Sequence, residues 1–281
     1  MKMIENKTFD AERSLYGSNG ITVKNCLFSG PADGESALKE SKNVNIADCR
    51  FDLRYPFWHC QNVSAERLEL SELCRAAIWY TDGISIKDSK LHGIKAAREC
   101  KNVTLEGCDI ISPEFCWKTA GVRLTDSSLV SEYAFFGCSD MEIDGLRMNG
   151  KYSFQYVENV IVRNSVLDTK DAFWHSKNVT VYDSVIKGEY LAWYAENLRL
   201  VRCKIIGTQP LCYVKNLIME NCETESCDLA FEYSTVNATL GHVDSIYNVH
   251  KGRIVAESIG ELIKDQYALP DSDAEIIIKE R

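Results

Sequence analysis

From Asp82 onward the chain repeats itself every 19 residues without a gap, through seven consecutive units. They include "KNVTLEGCDIISPEFCWKT", "ENVIVRNSVLDTKDAFWHS" and "KNVTVYDSVIKGEYLAWYA". Upstream, 42–60 is another unit, 61–81 carries two extra residues, and 19–41 carries four around "GPADGE". Downstream, 215–233 still fits before the pattern fades, giving about eleven units in all. A fixed period of this length means that each unit is one structural module, stable only when stacked on its neighbours.

The inside of the unit alternates. Positions 3 and 5 are apolar (Val103 and Leu105, Val160 and Val162, Val179 and Val181), position 10 is mostly Leu, Ile or Phe, and position 8 is small. That is the period of short β-strands, and no unit holds a helix-length stretch at 3.6 spacing. Position 2 is always Asn, Gly or Asp (Asn102, Gly121, Asp140, Asn159, Asn178), and position 7 is rich in the same residues. These residue types best tolerate the left-handed backbone region. Glycines at position 12 (Gly93, Gly150, Gly188, Gly207) mark a third corner. The sequence therefore predicts an all-β parallel β-helix with three short strands per coil. Corners that divide the coil into unequal sides favour the right-handed, single-stranded kind.

The "KNVTLEGC" and "ENVIVRNSVL" units resemble right-handed β-helices of the pectin-lyase-like superfamily. More closely, they resemble an uncharacterised bacterial family of such proteins, classed as domain of unknown function 3737. The resemblance covers roughly Asn19 to Tyr233. It implies the fold and brings no assigned activity. The polygalacturonase-like Asn-Thr-Asp, Gly-His-Gly and Arg-Ile-Lys elements are absent, as is a calcium-binding set of aspartates like that of pectate lyases. Whether the chain is an enzyme stays open.

One address in the repeat stands out. All five tryptophans, Trp58, Trp79, Trp117, Trp174 and Trp193, occupy position 17, with Phe136 and Phe231 assigned there too. Position 18 holds His59, Tyr80, Tyr156, His175, Tyr194 and Tyr213. The paired "FWH" triplets at Phe57–His59 and Phe173–His175 are thus one address on two rungs, six coils apart. At the strand spacing that is about 29 Å, too far to share a substrate atom. Position 16 is apolar throughout, so strict alternation turns position 17 outward. Position 19 is also small and core-like, which requires either a bulge between 16 and 19 or inward tryptophans.

An outward aromatic column suits a saccharide, and Trp58, His59, Trp79, Tyr80, Trp117, Tyr156, Trp174, His175, Trp193 and Tyr194 are the candidate ligand-binding residues. The alternative is that stacked aromatics are the ordinary ladder between rungs. His175 as base, Tyr194 as acid and Asp171 beside them form the strongest catalytic candidate, although no recognised motif joins them. The function expected is carbohydrate binding or modification. The rival is a non-catalytic scaffold that binds protein partners.

Composition narrows the partners. A net charge of −9 argues against nucleic acid. No apolar run is long enough to span a membrane. "MKMIENKTFDAERSLYG" has no apolar core of a secretory signal, which makes the cytoplasm the expected compartment. Twelve cysteines without a C-x-x-C pair read as free thiols filling the core, with no metal and no cofactor expected. Residues 1–18 are expected to cap a β-helix spanning 19–233, with 234–281 forming irregular last coils and a second cap of one domain. Within it, 258–267 reads as a short helix and "AEIIIKE" as a closing strand. That tail or the long face is the expected contact for a homo-oligomer.

Overall fold

The computed structural model describes residues 2–30 and 35–279. Residues 31–34 of the "GPADGE" insertion and the last residue of "AEIIIKE" lie outside them. The chain divides into two compact units, Met1–Glu142 and Ile143–Arg281. Each is a parallel β-solenoid, and the described residues together make about 14 turns without a helix.

Both units use one coil design. In Met1–Glu142 the first strand of successive coils runs Lys42–Ala47, Gln61–Glu66, Asp82–Lys87 and Lys101–Glu106. Each residue pairs in parallel with its equivalent one coil on, so Ile84 lies against Val63 on one side and Val103 on the other. In Ile143–Arg281 the same strand is Glu158–Arg163, Lys177–Tyr182 and Glu196–Val201, with Val160, Val179 and Leu198 in register. Positions 3 and 5 point inward and are buried throughout. Outward side chains form ion pairs between coils: Lys87–Glu106 on the first strand, Arg67–Asp48 and Arg202–Asp183 at the following corner, and Lys187–Asp168 on the second strand.

The corners explain the asparagines. Asn178 and Asn197, with φ near 54°, occupy the left-handed region. Their side-chain amides form a ladder: Asn178 donates to Asn159 (3.0 Å), Asn197 to Asn178 (2.9 Å) and Asn216 to Asn197 (2.9 Å). One residue type thus satisfies both the backbone and the stack. Gly207 is required for another reason. A Cβ there would sit 2.3 Å from the carbonyl oxygen of Gly188.

The core-facing small residues do matching work. Where the backbone leaves a corner, its amide points along the stack, and a hydroxyl or thiol from the next coil accepts it. Cys60 N donates to Thr81 Oγ1, Cys100 N to Thr119 Oγ1, and Ser165 N to Ser184 Oγ. All twelve cysteines are free and buried. Thiols share these columns with serine and threonine, and apolar residues such as Leu68, Leu146, Val157 and Ala195 take the remaining places.

Four expectations change. Among the described residues the third strand forms only at Phe57–Trp58, Ile78–Trp79 and Ala97–Arg98. In later coils, alternate residues take positive φ, as at Tyr152, Phe154 and Tyr156, and the backbone curls instead of extending. The coil count rises above eleven because stacking outlasts the repeat. Residues 2–18, within the segment expected as a cap, contain a coil of their own: Lys2 pairs with Ile21, and Phe9 stacks on Phe28 at 4.8 Å. At the other end Thr235–Tyr247 and Lys251–Ile263 pair in parallel over 11 positions without the 19-residue period. Residues 258–263, read as part of a helix, belong to the second of these strands. The Ile259, Leu262 and Ile263 spacing mimics a helical face, but backbone pairing with the strand ending at Tyr247 decides the conformation. Glu275–Ile278 closes the stack as expected.

Candidate functional site

Of the two alternatives that the sequence left, a bulge or inward tryptophans, the structure has the bulge, and it lies at position 18. His59, Tyr80, Glu99 and Lys118 in the first unit have φ of 49–55°, and Tyr156, His175, Tyr194 and Tyr213 in the second have φ of 52–62°. A left-handed residue at position 18 lets 17 and 18 both face out while 19 returns to the core. Accordingly Phe57, Ile78, Phe154 and Phe173 are buried, Trp58, Trp79, Trp174 and Trp193 are half-buried, and His59, Tyr80, His175 and Tyr194 are exposed. Gln155 and Cys212 depart from this by being buried at position 17. Phe231 does not join the column. Its coil has one extra residue, since Val214 N meets Ser234 Oγ, and Phe231 is buried where position 16 belongs.

In Met1–Glu142 the tryptophan faces are already occupied. Trp58 and Trp79 stack at 5.2 Å and 11°. The Lys39 ammonium sits 4.0 Å over Trp58, and the Arg98 guanidinium 5.6 Å over Trp79, so the pair is closed by a cation at each end. Alongside, His59 stacks on Tyr80 at 5.1 Å. Glu99 gathers this group: its carboxylate accepts from Tyr80, from Trp79 Nε1 at 3.4 Å and from Arg98 at 2.9 Å. The Tyr80 hydroxyl, foremost, holds Glu99 below the usual carboxylate range. On the next rung Tyr16 donates to Glu40 at 2.6 Å. The column borders a concavity of about 400 Å³ lined by Glu40, Lys42, His59, Gln61, Tyr80 and Asp82. Trp117 lies apart from it, donating to Tyr133 O and packed against Phe136.

In Ile143–Arg281 His175 is sandwiched between Tyr156 (5.3 Å, 5°) and Tyr194 (5.0 Å, 10°), and Tyr194 continues onto Tyr213 (4.7 Å). Trp174 leans on His175, and Trp193 meets Tyr190 and Tyr213 edge-on while donating to Gln209 O. Tyr213 donates to Glu232 at 2.8 Å. Asp171, raised by burial, sits at another left-handed position of the arc. No hydrogen bond between described residues joins His175 to Asp171 or Tyr194. The imidazole meets tyrosine by its face, which aligns no proton path.

Lys39, Arg98 and Glu99 are legible in the sequence as neighbours of the column, Arg98 and Glu99 within two rungs of His59, but they were not among the candidate ligand-binding residues. The signal was present, because Lys39 and Arg98 interrupt the aromatic column at position 17 and flank Trp58 and Trp79 in repeat order. Among the described residues no cluster of three His, Cys, Asp or Glu side chains is arranged to hold a metal ion.

Comparison with known proteins places residues 2–277 under a family model described as "Protein of unknown function (DUF3737)". No curated protein matches. Similar solved structures include the A-module of a mannuronan C-5 epimerase of Azotobacter vinelandii, at 10% identity and TM-score 0.36, covering 98% of this chain and 89% of that one. Another is PfbA, a surface adhesin of Streptococcus pneumoniae, at 7% identity and TM-score 0.39, covering 93% and 84%. At such values these likenesses carry no argument about ligand or reaction.

Proposed function

The chain belongs to that family, whose description assigns no activity, and we propose from its own surface that it is a carbohydrate-binding protein. The binding face is the position-18 column of Met1–Glu142. The concavity beside His59 and Tyr80 carries this reading, because acceptors from Glu40 and Asp82 and donors from Lys42 and Gln61 converge there. Saccharide hydroxyls both donate and accept, so such a mixed lining matches them better than a single-sign cleft would. The contact is made by ring edges and polar tips. Stacking of a sugar on Trp58 or Trp79 is not part of it, since Lys39, Arg98 and the neighbouring indole occupy those faces.

The same occupied faces favour a second reading, a scaffold whose Tyr, Trp and Arg tips meet a protein partner. Titration with neutral and acidic oligosaccharides, followed by tryptophan fluorescence, separates the two. The carbohydrate reading expects a saturable change with one sugar class, weakened about tenfold by Asp82→Asn, the loss of one charge-assisted hydrogen bond. No saturable response to either class would reject it and leave the scaffold.

A further inference from the structure

The last long strand, Lys251–Ile263, is covered unevenly. Glu275–Ile278 pairs with it only over Arg253–Ala256, and Lys279 N extends the pairing by one bond to Ala256 O. Among the described residues nothing bonds to the outer edge of Ile259–Ile263, which its inner neighbour holds through Val243↔Ile259, Ser245↔Glu261 and Ile246↔Leu262. Burial follows this division. Ile254 and Ala256 are fully buried, whereas Gly260, Glu261 and Leu262 are exposed, Leu262 at 55%. Such an edge presents a row of backbone donors and acceptors in strand geometry, which an extended chain completes.

Charge selects the chain. Glu257 and Glu261 project from this stretch, and Asp265 follows it. Asp265 is fixed in place by Asn248, Tyr247 and the Tyr267 amide, which together hold its carboxyl below the usual range. Of the nearby cations, Lys264 is engaged with Ser272 O, while Lys251 and Arg253 pair with Asp271 and Glu275. His242 contacts Ser258 and Asp244. A second copy of this edge would bring its own glutamates against these, and like charges across a strand pair are unfavourable. We propose that the edge at Ile259–Ile263 receives, by strand addition, an extended segment of a partner protein in which basic residues alternate with apolar ones.

The probes are short, end-blocked peptides of alternating lysine and valine, of alternating glutamate and valine, and a lysine–valine peptide N-methylated at every other residue. Binding is read by fluorescence anisotropy against the full chain. The lysine–valine peptide is expected to bind, to weaken with salt, and to protect the Ile259–Ile263 amides from hydrogen exchange. Both other peptides are expected to bind roughly tenfold or more weakly. The double variant Glu257→Lys/Glu261→Lys is expected to reverse the preference toward the glutamate peptide, an outcome that mere unfolding does not produce. Equal binding of the N-methylated peptide, an unchanged preference in the double variant, or self-association in place of peptide binding would each overturn the proposal.

Discussion

At the scale of single residues, the exposed column is built on backbone conformations that most side chains avoid. His175 has φ 52° and lies between two tyrosine rings. Replacing it with Asn or Val removes the ring in both cases, but only Val resists the left-handed region. His175→Val is therefore expected to be about 1–2 kcal/mol less stable than His175→Asn, read from urea midpoints at constant slope. The cation over Trp58 makes a second test. Lys39→Met keeps the aliphatic stem and loses the charge 4.0 Å from the ring, which is expected to cost about 0.5–1 kcal/mol and to shift tryptophan emission.

At the scale of elements, strands supply the columns and the columns decide which chemistry is possible. A buried cysteine here acts as a hydrogen-bonding small residue, not as a nucleophile. Burial pushes the thiols of Cys60, Cys74, Cys100 and Cys212 up to about 12. At neutral pH they hold almost no thiolate. Ellman's reagent is expected to leave the twelve cysteines unreacted in the native protein and to titrate all of them in denaturant; fast native reaction of several would contradict this burial. Within one column, Cys100 accepts from the Thr81 amide and donates to Arg98 O. Cys100→Ser should preserve both bonds, whereas Cys100→Ala strands a buried amide and is expected to cost about 1–3 kcal/mol more in the same urea measurement.

For the molecule as a whole, the shifted groups bound the pH range of stability. Asp48 and Asp183 beside Arg67 and Arg202, Glu99 bonded by Tyr80, and Asp265 bonded by Asn248 all titrate below the ordinary carboxylate range. Their contribution is complete above the unfolded values near about 4 and is lost as pH falls through the lowered ones. Asp171, raised by burial, acts in the opposite sense. On the alkaline side the Asp265 bond pushes Tyr247 up to about 12, and burial followed by Glu232 raises Tyr213. That stabilisation is present below about pH 10 and disappears as pH rises through the raised values. Melting temperature followed by circular dichroism is expected to hold a plateau between these limits and to fall on both sides, with tyrosinate absorbance lagging at high pH. A maximum below pH 4 would contradict the assignment.

The period, the strand character and the asparagine corners were legible in the sequence because each follows from local chemistry: alternation for a pleated surface, and Asn, Gly or Asp for left-handed turns. Position 16 as core was legible for the same reason, whereas the sequence left open whether position 17 faces solvent or core. The left-handed residue at position 18 was implied only as an unresolved conflict between 17 and 19. Its side chains, His and Tyr, are not the usual markers of that conformation. The repeat order places Lys39 and Arg98 beside Trp58 and Trp79, but that their cations lie over the ring faces was decided by the tertiary structure, since the side chains come from neighbouring coils. The last coils were decided by tertiary structure as well. Without the repeat, 258–263 has the apolar spacing of a helix, and hydrogen bonding to the preceding coil makes it a strand whose outer edge no described residue pairs with.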